Sequence, residues 1–323
     1  MKIGLDSESC HLLFHNGIID IFGFIRKVAE LGLDGVMINI IGGMAGDNEK
    51  YIHPEWGCLG GAEPEHLEKV RKELQKYNMY AEVAMRGIDP LKLSRAVEVC
   101  HQIGADLLRT YCCFGKYDPE TLAKAPDNFK KIIPHLKKYR MKFAIENHEE
   151  ETSDEIIDIL NKVNSPWVGS HCDIGNSMMA WEDPLIAVEK LSPYAFTSHF
   201  KDHIVVKVED EYMVCGVPLG KGNIDIDECF RLLFEKSTLT RINIEQTYPF
   251  LSVFKRERGT GGVFDIGEGA FKLENTVFNF KEHTADSYYY PADEYLKETI
   301  AAQESGLKES IRYIKKIRDK YCC

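Results

Sequence analysis

Four segments place ionisable residues at equivalent points of a repeating pattern. "FAIENHEE" carries Glu146 and His148, "GSHCDIGNS" carries His171 and Asp173, "FTSHFKDH" carries His199, Lys201 and Asp202, and "RINIEQTYP" carries Glu245. Each group follows or closes a run rich in apolar and β-branched residues, so it falls at the end of a predicted strand. Three carboxylates gathered at neighbouring strand ends repel one another and lose hydration; a cation among them resolves the conflict. Three oxygens and one imidazole, from Glu146, Asp173, His199 and Glu245, suit one divalent metal. Ligand type does not separate Mn²⁺, Mg²⁺, Co²⁺ and Zn²⁺; Mn²⁺ is the favoured ion. A metal so held can polarise a bound carbonyl and stabilise the enolate formed when a base removes the neighbouring proton.

Other residues near these segments have graded roles. His148, two positions beyond Glu146, faces the same way if the strand continues, and an imidazole suits general-base work near neutral pH. It serves either as that base or as a group orienting a carboxylate; Glu146 and Glu245 are the other candidate bases. Arg109, in "LLRTY", either holds a substrate oxygen bidentately or pairs with a ligand carboxylate. His171 and Lys201 are further candidates for substrate contact. His11, His15, His53 and Trp56 follow the first two predicted strands, where they either contact a sugar or aglycone or simply pack.

The elements that must position these groups alternate along the whole chain. Strands are predicted at Lys2–Asp6, Asp34–Ile40, Met79–Met85, Asp106–Tyr111, Met141–Asn147, Trp167–Asp173, Tyr194–Lys201 and Thr240–Gln246. Helix-period segments lie between them at Ile18–Leu31, Glu65–Tyr77, Leu91–Ile103, Asn128–Tyr139, Ser153–Val163 and Ile226–Lys236. Eight strand–helix units with nearly continuous apolar strands predict a single (β/α)8 barrel over residues 1–323, an open doubly wound sheet being the alternative. In such a barrel chemistry sits at the C-terminal strand ends, where the four segments fall. Two interruptions, Asp202–Asn223 and Thr247–Pro291, read as long loops, the second a lid or contact surface. Its "RERGTGG" has no G-x-G-x-x-G spacing, so dinucleotide binding is not expected.

The balance of 40 basic and 51 acidic residues gives a net charge of −11, which opposes phosphate backbones and anionic membranes, so neither nucleic acid nor a membrane is an expected partner. No apolar leader core and no run of eighteen apolar residues can be drawn, so a cytoplasmic protein is expected. The ten cysteines lack C-x-x-C spacing and read as reduced thiols.

"IENHEE", "HCDIGNS", "HFKDH", "VPLGKGNID" and "NIEQ", in that order, resemble the xylose isomerase-like sugar isomerase/epimerase superfamily over about residues 1–246 and the final helix. That resemblance implies a metal-dependent TIM barrel in which Glu146, Asp173, His199 and Glu245 are the ligands and the two glutamates flank the substrate. Where many epimerases of the family have a histidine three residues after the metal aspartate, this chain has Asn176. Lys221 lies on a loop that covers the site in the family, which makes it and Asn176 candidates for substrate contact. The endonuclease IV branch is set aside by the net charge. His148 and the long second interruption resemble the α-subunit of bacterial C-glycoside deglycosidases. That branch implies elimination of an aglycone from a 3-keto-glycoside, and an oligomer with a smaller β-subunit that completes an otherwise inactive site. The wider superfamily implies isomerisation or epimerisation of a keto-sugar.

Overall fold

A computed structural model of the chain describes residues 1–41, 51–275 and 288–322. Its strands, in chain order, are β1 (Lys2–Asp6), β2 (Gly35–Asn39), β3 (Tyr80–Ala84), β4 (Leu107–Thr110), β5 (Lys142–Glu146), β6 (Val168–Asp173), β7 (Ala195–Phe200), β8 (Asp202–Val208), β9 (Glu211–Val217), β10 (Arg241–Ile244), β11 (Leu251–Val253) and β12 (Leu273–Glu274). β1 to β7 and β10 close into a parallel barrel in the order β1-β10-β7-β6-β5-β4-β3-β2. The fold is a single (β/α)8 TIM barrel.

Alternation along each strand decides what faces inward. Ile3 and Leu5, Val36 and Ile38, Phe143 and Ile145, and Ile242 and Ile244 belong to the apolar core beneath the helices. Their neighbours of opposite parity fill the barrel. Low in the interior, Glu82 accepts hydrogen bonds from Thr197 Oγ1 at 2.7 Å and Asn243 Nδ2 at 2.9 Å, and pairs with Arg241. Gly35 admits the Tyr80 ring there, since a Cβ would lie 2.3 Å from Cδ1. One step higher on each strand, the same parity turns Asp6, Arg109, Glu146, His171, Asp173, His199 and Glu245 toward the barrel mouth.

The helices are α1 (His11–His15), α2 (Ile21–Glu30), α3 (Pro64–Lys76), α4 (Pro90–Ile103), α5 (Pro119–Tyr139), α6 (Ser153–Val163), α7 (Pro184–Leu191), α8 (Ile226–Lys236) and α9 (Asp293–Tyr321). Proline opens α3 and α4, where its missing N–H costs nothing, and Thr152 and Glu155 form a reciprocal capping box at α6. Gly104 closes α4 at φ 83°, a left-handed cap that glycine adopts without strain. α5 starts nine residues before its predicted Asn128, because Asp118 caps it and Pro126 is tolerated inside it with Ala125 and Phe129 buried. α7 is absent from the sequence reading.

The two interruptions are not simple loops. β8 and β9 form an antiparallel hairpin, and β11 and β12 from the second interruption add to its edges, giving the order β11-β9-β8-β12. Val205 and Val214 face the main core, while Ile204, Val206, Cys215, Val217 and Leu251 form a second apolar cluster. A sheet apolar on both faces lacks the polar alternation that marks a surface strand. Residues 276–287 of the second interruption lie outside the described residues. Trp181 helps dock this sheet, stacking on Phe254 with centroids 3.9 Å apart.

Asp202 fixes the segment that follows the hairpin. Its carboxylate accepts from the backbone N–H groups of Gly220 and Gly222, both at 2.9 Å, and of Ile224 at 3.2 Å. Asp202→Ala takes the acceptor from all three donors, the Ile224 N–H being buried and the two glycine bonds part-buried, and is expected to lower stability by about 2–4 kcal/mol. Denaturant unfolding reads this directly, and an unchanged midpoint and slope would refute the clamp.

Candidate active site

His199 stands at the centre of the inward-facing groups. Its Nδ1 lies 3.3 Å from Glu245 Oε2, 3.4 Å from Asp173 Oδ2 and 3.7 Å from Glu146 Oε1. The four residues come from the ends of β10, β6, β7 and β5, all buried. His171 joins them: one donor atom each from Glu146, His171, Asp173 and His199 falls within a mutual 4.8 Å. Asp6, His199 and Glu245 satisfy the same criterion. Neither ring nitrogen of His171 has a hydrogen-bond partner, nor does His199 Nδ1, although all are buried. Buried imidazoles left unbonded beside carboxylate oxygens are suited to a divalent cation.

Charge gives the same answer. Four buried carboxylates, Asp6, Glu146, Asp173 and Glu245, face two fixed cations, Arg109 and Lys201. Arg109 Nη2 lies 2.6 Å from Glu146 Oε2; Lys201 Nζ lies 2.9 Å from Asp173 Oδ2 and also pairs with Glu245. The two remaining negative charges match one divalent ion held by neutral imidazoles. Within the polypeptide alone, burial disfavours a charged His199, but Glu245 and contacts with Asp173, Asp6 and Glu146 outweigh it and raise its pKa well above the usual value. Burial, with the charges of His199 and Arg109, drives His171 well below. Asp173 is held low against its own burial by Lys201 and His199.

Asp6 enters the centre from β1. Its Oδ2 lies 3.2 Å from His199 Nε2, the nitrogen turned away from the other three carboxylates. A carboxylate behind a ligating imidazole fixes its tautomer and orientation. Asp6→Ala is therefore expected to weaken metal affinity about 10- to 100-fold. Competition with a chelating dye measures this, and wild-type affinity would remove Asp6 from the centre.

Above the cluster lies a cavity of ≈ 260 Å³ whose walls include Arg109, His148, Asn176, Lys201 and Glu245. His148 stacks on Tyr111 with centroids 3.9 Å apart, and its Nδ1 lies 3.3 Å from Glu150 Oε2. Burial opposes its charge, yet the Glu150 contact and the charges of Glu146 and Glu149 push its pKa up to about 9. Asn176 Nδ2 donates to Glu146 Oε1 at 3.3 Å, and its Oδ1 accepts from Lys201 at 3.1 Å. Lys221 is not brought to the cavity lining: it is exposed, on the turn that Asp202 holds through its two neighbours.

Several cavity residues escaped the sequence reading: Glu8, His203, Thr247, Phe250, Tyr288 and Tyr289. Burial, then the charges of Glu245 and Asp6, raise the Glu8 carboxyl to about 8. His11 lies behind this wall, stacked on Tyr288 at 3.8 Å and bonded through Nε2 to the Tyr288 carbonyl at 2.8 Å. His15 packs on Tyr289, with centroids 4.3 Å apart. Both histidines position the aromatic wall and do not line the cavity. His53 accepts from the Trp56 backbone N–H at 3.0 Å within a turn, and Trp56 lies under Arg95, away from the main cavity.

The family description "Xylose isomerase-like TIM barrel" matches residues 25–249. Among known relatives, a 3-oxo-isoapionate decarboxylase of Pectobacterium atrosepticum is 22% identical over 175 residues. That match covers 54% of this chain and 63% of the relative, less than two thirds of its length. Among solved structures, D-psicose 3-epimerase in the presence of D-fructose superimposes with a TM-score of 0.61 at 13% identity, over 96% of this chain and 98% of the other. The IOLI protein with a bound zinc atom gives 0.59 at 15% identity, over 96% and 98%. These structural likenesses are of fold. Among the described residues no helix is long and apolar enough to cross a membrane.

Proposed function

Because the chain belongs to the xylose isomerase-like TIM barrel family, we propose that it is a divalent-metal-dependent enzyme that removes a proton next to the carbonyl of a keto-sugar or 3-keto-glycoside. The observation that carries this reading is the convergence of Glu146, Asp173 and Glu245 on His199 directly beneath a cavity. Glu146, Asp173, His199 and Glu245 hold the ion, with His171 as a further donor and Mn²⁺ as the favoured metal. When bound, the metal supplies Lewis-acid polarisation of a substrate carbonyl. Arg109 pairs with Glu146 and Lys201 with Glu245; His148, or one of those two glutamates, takes the proton. Asn176 orients Lys201 and Glu146 and is placed to meet a substrate hydroxyl.

Two outcomes follow from the resulting enolate. Reprotonation at a different face or carbon gives an epimer or isomer; departure of a β-substituent gives elimination of an aglycone. The likeness to D-psicose 3-epimerase supports the first, and the likeness to a protein named 3-oxo-isoapionate decarboxylase supports bond cleavage as the second. The test is incubation of Mn²⁺-loaded protein in D₂O with ketoses and with 3-keto-O- and 3-keto-C-glucosides, followed by mass spectrometry. Deuterium in a sugar isomer, or released aglycone, is the expected result. Silence with both classes, from protein carrying one metal per chain, overturns the reading of a self-sufficient enzyme.

A second reading makes this barrel one subunit of an oligomer completed by a smaller chain. It is favoured by apolar side chains exposed on the interruption segments, Val253, Phe264 and Leu273. Activity that appears only on adding a co-purifying chain would select it.

A further inference from the structure

His203 has no role in the chemistry above, yet it is fully buried and lines the cavity. Its place follows from the hairpin. Along β8, Ile204 and Val206 turn to the second apolar cluster, while His203 and Val205 turn to the barrel. Two glycines make the room. A Cβ on Gly175 would lie 3.0 Å from His203 Cε1 and Nδ1. A Cβ on Gly216, the partner of His203 across the hairpin, would lie 2.6 Å from the Thr247 carbonyl oxygen and 2.7 Å from its Oγ1. Thr247 thus reaches the same wall because residue 216 has no side chain. Phe250 backs the imidazole, with centroids 5.9 Å apart and planes at 24°, and its carbonyl accepts from the Gly216 N–H at 3.0 Å.

The hydrogen bonding of the ring fixes its tautomer. Nδ1 lies 3.3 Å from the Gly175 carbonyl, which can only accept, so the neutral ring carries its proton there and Nε2 is a bare acceptor. Nε2 is buried with no hydrogen-bond partner, and so is Thr247 Oγ1, on a residue 7% exposed. Buried polar atoms without partners are rare, and two on one cavity wall call for a ligand that supplies them. Nε2 asks for a donor; the threonine hydroxyl can donate or accept. Only a ligand O–H or N–H satisfies the first, and an oxygen satisfies the second.

We propose that His203 and Thr247 form a hydroxyl-binding subsite, which selects a substrate carrying a free hydroxyl group beside the metal cluster. This rests on the reading of the cavity as a sugar site and narrows it: a polyhydroxylated ligand is favoured over one that presents only ether, alkyl or aryl groups to this wall. Thr247→Val keeps the shape and removes the hydroxyl; Thr247→Ser keeps the hydroxyl; His203→Phe removes the acceptor.

The probe is D-fructose, added to protein labelled with ¹⁵N-histidine and loaded with diamagnetic Mg²⁺. His203 Nε2 is expected to change resonance on addition of the sugar. The dissociation constant should rise about 10- to 100-fold in Thr247→Val and His203→Phe and stay near wild type in Thr247→Ser. An Nε2 resonance unmoved at the highest soluble sugar concentration overturns the subsite, as does equal affinity of wild type and a folded Thr247→Val. The two readings fail separately. A sugar-dependent His203 shift in protein that exchanges no substrate hydrogen with D₂O keeps the subsite and removes the proposed reaction; full exchange with an unmoved shift removes the subsite alone.

Discussion

Glu146→Gln is expected to strip the protein of metal and turnover together. Glu146 is fully buried, and its two oxygens face four different groups: Oε2 meets Arg109 at 2.6 Å, while Oε1 accepts from Asn176 Nδ2 at 3.3 Å and lies 3.7 Å from His199 Nδ1 and 3.9 Å from His171 Nε2. An amide of the same size offers one acceptor and two donors, so it cannot serve both Arg109 and a cation. The charge balance fails as well, because four carboxylates against two fixed cations become three. Metal content should fall to a small fraction of one per chain, and deuterium exchange by about 10³-fold or more, as when an electrostatic element of a catalytic site is removed. Arg109 is left buried beside a neutral partner, at a cost to stability of about 3–5 kcal/mol. Metal analysis therefore has to be made on the folded fraction. One metal per chain with turnover near wild type would remove Glu146 from the centre.

What the sequence reveals about this arrangement depends on range. The barrel strands are local: apolar runs bounded by turn residues locate all eight, and the ends of β5, β6 and β7 and the residue after β10 carry Glu146, Asp173, His199 and Glu245. Inward parity follows from the same runs, which is why residues far apart in the chain can be assigned to one point. Asp6 is the instructive miss. It closes β1 with the same parity and lies 3.2 Å from His199, so the rule that finds the other four finds it too. It closes the first strand, apart from the four successive strand ends whose coincidence marks the site.

His203, Thr247 and Tyr288 are a different case. They reach the cavity through pairings of distant segments, such as Val253 with Met213 and Leu273 with Val205, and through the docking of Tyr288 on His11. No periodicity within a segment reports such contacts. Lys221 shows the converse: its motif places it near the mouth, but Asp202 grips the backbone on both sides of it and leaves the side chain in solvent.

His148→Ala is expected to separate metal binding from chemistry. His148 lies outside the ligand cluster, held by Tyr111 and Glu150, so its loss should leave one metal per chain. Turnover should fall by about 10²- to 10⁴-fold if the imidazole moves the proton. The pH dependence has a definite sign. A raised pKa means that the base form appears only as pH rises toward about 9, so kcat/KM of the wild type should climb through the neutral range. A bound cation beside Glu146 weakens the field that raises this pKa, so the climb ends at or below that point. Glu245 is the poorer base, since His199 and Lys201 hold its carboxyl well below the usual range against the effect of burial. A pH profile that flattens in His148→Ala while the metal stays bound assigns the proton to His148. An unchanged profile with full turnover moves it to a glutamate of the metal centre, and the stacking on Tyr111 then serves only to close the cavity wall.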